Sequence, residues 1–386
     1  MMVWTASKGE HMASTRNSVD IVIIGLLVGM SCVGCSREEP AGSPAEPAGT
    51  SQPADSTGSS DASTVPGSNS QADPATETGG AISSGDPGSE VAKQLRELLV
   101  QLVGEDPAAR SQAQQALDDQ ELGNDIFLAL MEDGSPLVRQ GATYYLTGRF
   151  VVQDVGLQEA FLARLEDENA KVRGLALQIV TRLPAETVRP AIPRLVAMLQ
   201  VAREETQNRA AVARFLGRLK IEWQVVLPAL VESVKQDPAD TVRKASLYGV
   251  SRIALPEEAV PIYRHVLLHD KNLTVQRAAV VQLGRLRQDA AGACAELGAI
   301  LAAPDDQLSD AAAAALTRIG APAVPELMRQ VSSPVHRARC LAIFSLGSLG
   351  APAKPAIAKL KECLKDDDVR IRQLAEQALR RLLFVP

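Results

Sequence analysis

Aromatic side chains are scarce in this sequence: the 386 residues include two Trp, four Tyr and six Phe. That scarcity excludes a large globular core built around rings, although 46% of the chain is hydrophobic. Ala, Leu and Val supply the apolar character, which suits thin two-layer packing of helices. Motifs for covalent or cofactor chemistry are missing as well. There is no H-E-x-x-H, no G-x-S-x-G, no phosphate-binding P-loop and no Gly-rich dinucleotide loop, so hydrolytic, phosphoryl-transfer and NAD chemistry have no signal. Cysteine is limited to Cys32, Cys35, Cys294, Cys340 and Cys363. The last three are an odd number with no C-x-x-C among them, which argues against a complete disulfide framework. Cys363, spaced with Ile357, Leu360 and Leu364, reads as a small core residue.

A basic excess is also lacking. The net charge is −6, and residues 36–89 alone set eight acids against Arg37, a balance of −7. Residues 1–35 are balanced, so the remainder carries −6 + 7 = +1. A nucleic-acid binder is expected to be clearly basic in its folded part. Residues 36–89 are mostly Ala, Gly, Ser, Pro, Thr and acid, a composition that cannot bury enough apolar surface to offset its ordering entropy. We expect a disordered acidic linker there, with an r.m.s. reach of about 40 Å.

Upstream, Ile21 to Cys35 is an apolar run of 15 residues, short of the roughly 20 that span a bilayer. With Arg16 before it and Cys32-Val33-Gly34-Cys35 closing it, residues 1–35 read as a signal peptide with a lipobox-like end. Cys35 is the expected lipidation site, Cys32 standing where Leu is usual. The protein is then an exported cell-envelope lipoprotein, held to a membrane by its N-terminal lipid. Met12 makes the neater start for such a signal.

Beyond residue 90 a skeleton recurs. Asp237 leads to Val242, Arg243, Ser246, Val250 and Ile253. Asp133 leads likewise to Val138, Arg139, Ala142 and Leu146; Asp167 leads to Val172, Arg173, Ala176 and Val180. Asp270 leads to Val275, Ala279 and Leu283, and Asp366 to Ile371, Arg372, Ala375 and Leu379. The apolar residue seven places after the Arg position falls at 146, 180, 216, 250, 283, 316, 346 and 379, in steps of 30 to 36. Two helices per unit at that period mark a helical solenoid. The skeleton resembles the HEAT-repeat family in its short bacterial form. The resemblance covers about residues 91–386, with a weaker first unit around Arg110, Ala113, Ala116 and Leu117.

The resemblance implies an all-α, right-handed α-solenoid of about eight to nine helical hairpins over residues 90–386, preceded by the disordered tether. Each unit is a helix A, a turn with Asp, and a helix B; Pro190, Pro193, Pro256, Pro322 and Pro352 are expected in the first turns of A helices. The resemblance also implies a structural Asp–Arg ladder: Asp133, Asp167, Asp237, Asp270 and Asp366 with Arg139, Arg173, Arg243 and Arg372. Each Arg can reach its own turn Asp or that of the neighbouring unit.

Helix B can be read at 100° per residue, with the Arg position as zero. Offsets −1, +3, +7 and +10 form the core face. Offsets +1, +5, +8 and +12 lie opposite and are expected on the concave groove. At +5 stand Tyr144, Gln178, Arg214, Tyr248, Val281, Ala314, Phe344 and Gln377. Tyr144, Gln178, Arg214, Tyr248 and Phe344 are the candidate partner-binding residues. At +9, Arg182, Arg218, Arg252, Arg285, Arg318 and Arg381 form a basic stripe at the groove edge, where a cation can also cap the negative end of its helix.

These readings give a membrane-tethered scaffold that binds a protein partner, with no catalytic residue, no cofactor, no metal, no small-molecule substrate and no nucleic acid. Two other classes remain. Bilin lyases carry related repeats, which makes an enzyme accessory or lyase-like role the alternative; HEAT-like DNA glycosylases make nucleic-acid binding a further one, supported only by the +9 arginines. Some HEAT-like di-iron enzymes use His-Glu dipeptides, and this sequence contains none. His265 and His269 share a helix face but no third ligand is evident.

Overall fold

The computed structural model describes residues 87–200 and 204–383. The signal-like segment, Cys35 and the acidic stretch up to residue 86 lie outside the described residues. Helix begins at Pro87, slightly before the linker was expected to end.

Nearly all of the described chain is helical, in antiparallel pairs. Two helices lead, α1 (Pro87–Leu102) and α2 (Pro107–Asp118). Four A–B pairs then follow: α3 (Asn124–Leu130) with α4 (Pro136–Arg149), α5 (Val155–Ala163) with α6 (Ala170–Val180), α7 and α8 (Ala185–Val188, Ile192–Ala197) with α9 (Thr206–Leu219), and α10 (Trp223–Gln236) with α11 (Asp240–Ile253). Four more complete the array: α12 (Pro256–His269) with α13 (Leu273–Leu286), α14 (Cys294–Ile300) with α15 (Asp306–Ile319), α16 (Val324–Gln330) with α17 (His336–Leu349), and α18 (Ile357–Cys363) with α19 (Val369–Leu383). This is an α-solenoid of HEAT-type hairpins. Among the described residues no helix is long and apolar enough to cross a membrane.

Prolines shape the A helices less simply than expected. Pro256 does open α12, whereas Pro190, Pro322 and Pro352 lie in 3-10 turns that precede the α-helical part. A 3-10 turn bonds i to i+3 and fits where a chain must reverse within a few residues. Gly320 (φ +87) and Gly350 (φ +66) supply the positive φ that ends α15 and α17, a conformation that costs glycine little.

The core follows the 3.6-residue period. Every −1, +3 and +7 position of the eight B helices is buried, from Val138, Ala142 and Leu146 to Ile371, Ala375 and Leu379. One continuous apolar cluster runs from Leu95 to Leu382. At roughly 25 cal/mol per Å² of apolar area removed from water, this burial is the main stabilising term. Adjacent B helices touch directly, and small residues permit it. A Cβ added at Gly217 (+8 on α9) would lie 2.4 Å from the Gly249 Cα (+6 on α11). The same +8 to +6 pairing brings Gly284 to Ala315 and Gly347 to Ala378. Where +8 is glycine, at Gly217, Gly284 and Gly347, the position is therefore a helix contact and not a groove position. At 80° it points along the array while +6, at 240°, meets it from the far side of the next helix.

The first unit also departs from expectation. Helix α1 packs against α4 as well as α2, extending the row of B helices by one. The Arg96 Nε donates to Asp133 Oδ2 at 2.8 Å, in the same way as later ladder arginines. Arg110 keeps only half of the ladder role: its Nη1 donates to the Gly104 and Glu105 carbonyls at 2.9 and 3.1 Å.

Candidate protein-binding face

The ladder arginines bond in both directions. The Arg139 Nη1 donates to the Asp133 carbonyl of its own turn at 2.9 Å, while Nε and Nη2 donate to both oxygens of Asp167 in the next turn at 2.8 and 3.0 Å. Arg243 repeats this, with Asp237 O at 3.0 Å and the Asp270 carboxylate at 2.7 and 3.0 Å. The planar guanidinium fork matches two carboxylate oxygens, which a lysine cannot do. Each carboxylate also accepts a backbone N–H two residues on: Ser135 for Asp133, Asn169 for Asp167, Ala239 for Asp237, Asn272 for Asp270 and Asp368 for Asp366.

Charge and burial act together here. Burial pulls the Asp270 carboxyl upward, but Arg243 and the Asn272 N–H hold it below its ordinary value. Asp133 behaves likewise, through burial, the Ser135 N–H and Arg96. Two rungs were not legible in the sequence pattern. Arg173 pairs with Glu204, at 2.6 Å, because the turn acid there is displaced by one position. Arg209 pairs with Asp237 at 2.8 Å in the most buried rung, its side chain 5% exposed and that of Asp237 1%. At the far end Arg372 bonds only its own turn, to the Asp366 and Asp367 carbonyls. The ladder holds the repeats in register along one edge.

On the B-helix face opposite the core, all eight +5 residues are exposed: Tyr144, Gln178, Arg214, Tyr248, Val281, Ala314, Phe344 and Gln377. Their side chains are not fixed by packing. Of the four exposed aromatics among the described residues, Tyr144, Tyr248 and Phe344 stand at +5, and Trp223 is the fourth. The six +9 arginines are exposed too. Their roles divide. Arg218 donates to the Thr181 carbonyl at 2.8 Å, at the end of the preceding B helix, and lies over the Phe215 ring. Arg182 lies over Phe150, and Arg381 over Phe344. Arg252 and Arg318 have no hydrogen-bond partner among the described residues, and Arg285 meets only Gln282.

Between α11, α12 and α13 the face dips into a pocket of about 350 Å³ lined by Tyr248, Ser251, Arg252, Tyr263, Gln282 and Arg285. Tyr263 is 1% exposed, and burial pushes its phenol far above the ordinary value, an effect that Arg285 partly offsets. A second hollow lies beside Tyr144, closed by Arg110, Gln114 and Asp118 of α2.

His265 and His269 do share one face of α12, with ring centroids 4.4 Å apart. Burial, then His269 and Lys235, hold His265 below its usual value. Among the described residues no group of three His, Cys, Asp or Glu side chains is placed to hold a metal. One juxtaposition escaped the sequence reading: Cys340 Sγ lies 3.7 Å from His336 Nε2, which is itself 3.0 Å from Asp368 Oδ2. The H-x-x-x-C spacing on α17 was the available signal. A nucleophile needs a lowered thiol value, and burial raises that of Cys340. The same holds for Cys363, and for Cys294, which burial pushes up to about 11.

A family profile described as HEAT repeats matches residues 158–251 and 294–380. No curated protein matches. Among solved structures, the karyopherin Kap121p bound to the extreme C-terminus of the protein phosphatase Cdc14p is similar over 75% of this chain, at 12% identity and a TM-score of 0.54. Importin beta is similar over 76% at 12% identity and a TM-score of 0.52. The chain spans 37% and 47% of those two proteins, respectively. At such identities the likeness is one of fold.

Proposed function

Because this chain belongs to the HEAT-repeat family, we propose that it is a scaffold that binds a protein partner across the exposed face of its B helices. One observation carries the reading: three of the four exposed aromatics among the described residues stand at +5, the position that the fold leaves free. An aromatic in water adds little to stability, whereas burying it in an interface can contribute about 2 kcal/mol or more. The stretch from Tyr144 through Arg214 to Tyr248 is the principal contact, and the arginines set orientation and encounter rate. The Cdc14p-bound Kap121p structure is a related fold with a protein ligand. We place the scaffold in the cell envelope, tethered through a lipid on Cys35, on the strength of the charged, apolar, Gly-Cys order of residues 16–35.

The deciding experiment captures partners from envelope extract with the full chain. A protein held by the wild type and lost on changing Tyr144, Arg214 and Tyr248 together to Ala, with an unchanged melt, identifies the face. Retention of every captured protein by that stable variant would refute it. Palmitate-analogue labelling that is equal in wild type and Cys35→Ala would refute the tether.

A further inference from the structure

Ion pairing among the described residues is sorted by face. Carboxylates hold Arg96, Arg139, Arg173, Arg209 and Arg243 at the turn edge, and Arg164, Arg189, Arg194, Arg264, Arg329, Arg337 and Arg380 elsewhere. Not one of the six +9 arginines has a carboxylate partner there. Across the +1, +5 and +9 positions of the eight repeats the single acid is Asp310, and Arg337 already holds it at 2.8 Å. A nearly neutral array thus presents one face with its positive charge uncancelled, because its acids stand at other positions.

The pocket between α11, α12 and α13 has the same bias. Arg252, Arg285 and the Gln282 amide are donors, and no acid lines it. At its floor, the hydroxyl of the 1% exposed Tyr263 has no hydrogen-bond partner among the described residues. A neutral phenol beside two guanidinium groups can donate to a carboxylate, while the two guanidinium charges repel a cation. Resting on the scaffold reading above, we propose that the partner's bound segment is an extended acidic peptide, with one carboxylate in this pocket and others on neighbouring +9 arginines.

Geometry fixes the spacing of those carboxylates. Packed helices lie roughly 8–10 Å apart, so successive +9 arginines are expected at about that interval. An extended polyproline-like chain rises about 3.1 Å per residue, so three residues cover the same interval. The ligand therefore carries an acid at every third position, with apolar or aromatic residues between them meeting Tyr248 and its neighbours. A nucleic acid fits less well, since one cation per repeat on a nearly neutral array falls short of the basic excess that phosphate binding uses.

Three fluorescein-labelled 15-residue probes test this on the full chain: five Glu-Pro-Ala repeats, the same peptide with Gln for Glu, and an isomer with all five Glu at one end. The first binds with a Kd that weakens as salt rises; the isomer is at least threefold weaker and the Gln peptide weaker still. Changing Arg252, Arg285 and Arg318 to Gln lowers affinity about tenfold or more without altering the melt. Changing Lys235, Lys271 and Lys361 to Gln removes as much charge and leaves affinity unchanged. Equal loss in both variants, equal binding of the isomer, no binding of the period-three peptide, or preference for a 12-residue oligothymidylate each overturns the inference. Partner capture that persists while the acidic peptides fail leaves the scaffold reading standing and removes this one.

Discussion

From α1 to α12 every junction between neighbouring turns is tied by a ladder arginine and a turn carboxylate, while at the next two junctions that rung is missing. The rungs run Arg96–Asp133, Arg139–Asp167, Arg173–Glu204, Arg209–Asp237 and Arg243–Asp270. Then Gln276 takes the arginine position, and the acid position it faces is Ala303; Ser309 follows, facing Ser333. Donor and acceptor vanish together. A half-buried guanidinium without its carboxylate would be costly, whereas removing both members of such a pair can be nearly neutral. The ladder resumes loosely: Arg339 comes only within 3.9 Å of Asp366, and its buried Nε has no partner. At the first of these junctions B-helix packing through Gly284 and Ala315 remains, with Arg277 donating to the Gln307 side chain; at the second, Arg337 of α17 instead ties Ser309, Asp306 and Asp310 of α15.

Breaking a rung should expose the contrast most sharply. Arg209→Met strands a buried Asp237 and is expected to cost about 3–5 kcal/mol of unfolding free energy in urea titration. Asp366→Asn, at the loose and more exposed pair, should cost less than about 1 kcal/mol. Equal losses would mean that burial does not set the strength of the rungs.

Overpacking the helix contacts comes next, at about 1–3 kcal/mol. The added Cβ would meet a neighbouring Cα at 2.4 Å in Gly217→Ala, 2.8 Å in Gly347→Ala and 3.1 Å in Gly284→Ala. Melting temperatures should fall in that order, and any other order would show that the helices separate at unequal cost. Restoring a rung is a smaller effect. Gln276→Arg and Ala303→Asp should each destabilise alone, and the double variant should recover about 0.5–2 kcal/mol of coupling in a mutant cycle.

Acid gives the mildest test. The Asp133 and Asp270 carboxyls lie below their ordinary value in the fold. Their stabilisation is therefore present above the unfolded carboxylate value, about 3.9, and is lost as pH falls through the lower folded values. Amide exchange near pH 3 to 4 should accelerate in α4 and α11 before α15, whose ion pairs to Arg337 lie at the surface.

The repeat period, the core offsets and the exposed +5 series were legible because packing imposes them on every unit. The direction of each rung was not, since an arginine six residues after an acid fits either turn. Arg96 was hidden by an atypical first hairpin that sets it 37 residues from Asp133. Arg209 was hidden by the displacement of its turn acid to Glu204. The +8 glycines Gly217, Gly284 and Gly347 were not legible as helix contacts because an angle on one helix says nothing about its neighbours. Tyr263 was invisible as a site residue, since a buried ring and a pocket floor share one sequence signal.

The junction between α13 and α15 has a mechanical meaning. A guanidinium that grips its own turn and the next is a strut of fixed length along one edge, while the glycine and alanine contacts between B helices act as pivots. Where Gln276 replaces the strut, between α13 and α15, the pivots remain but no ion pair holds the edge, whereas Arg337 supplies a substitute strut between α15 and α17. Bent or pulled, the array should behave as a stiff beam with one compliant segment, spanning α13 to α15, and change its curvature there first.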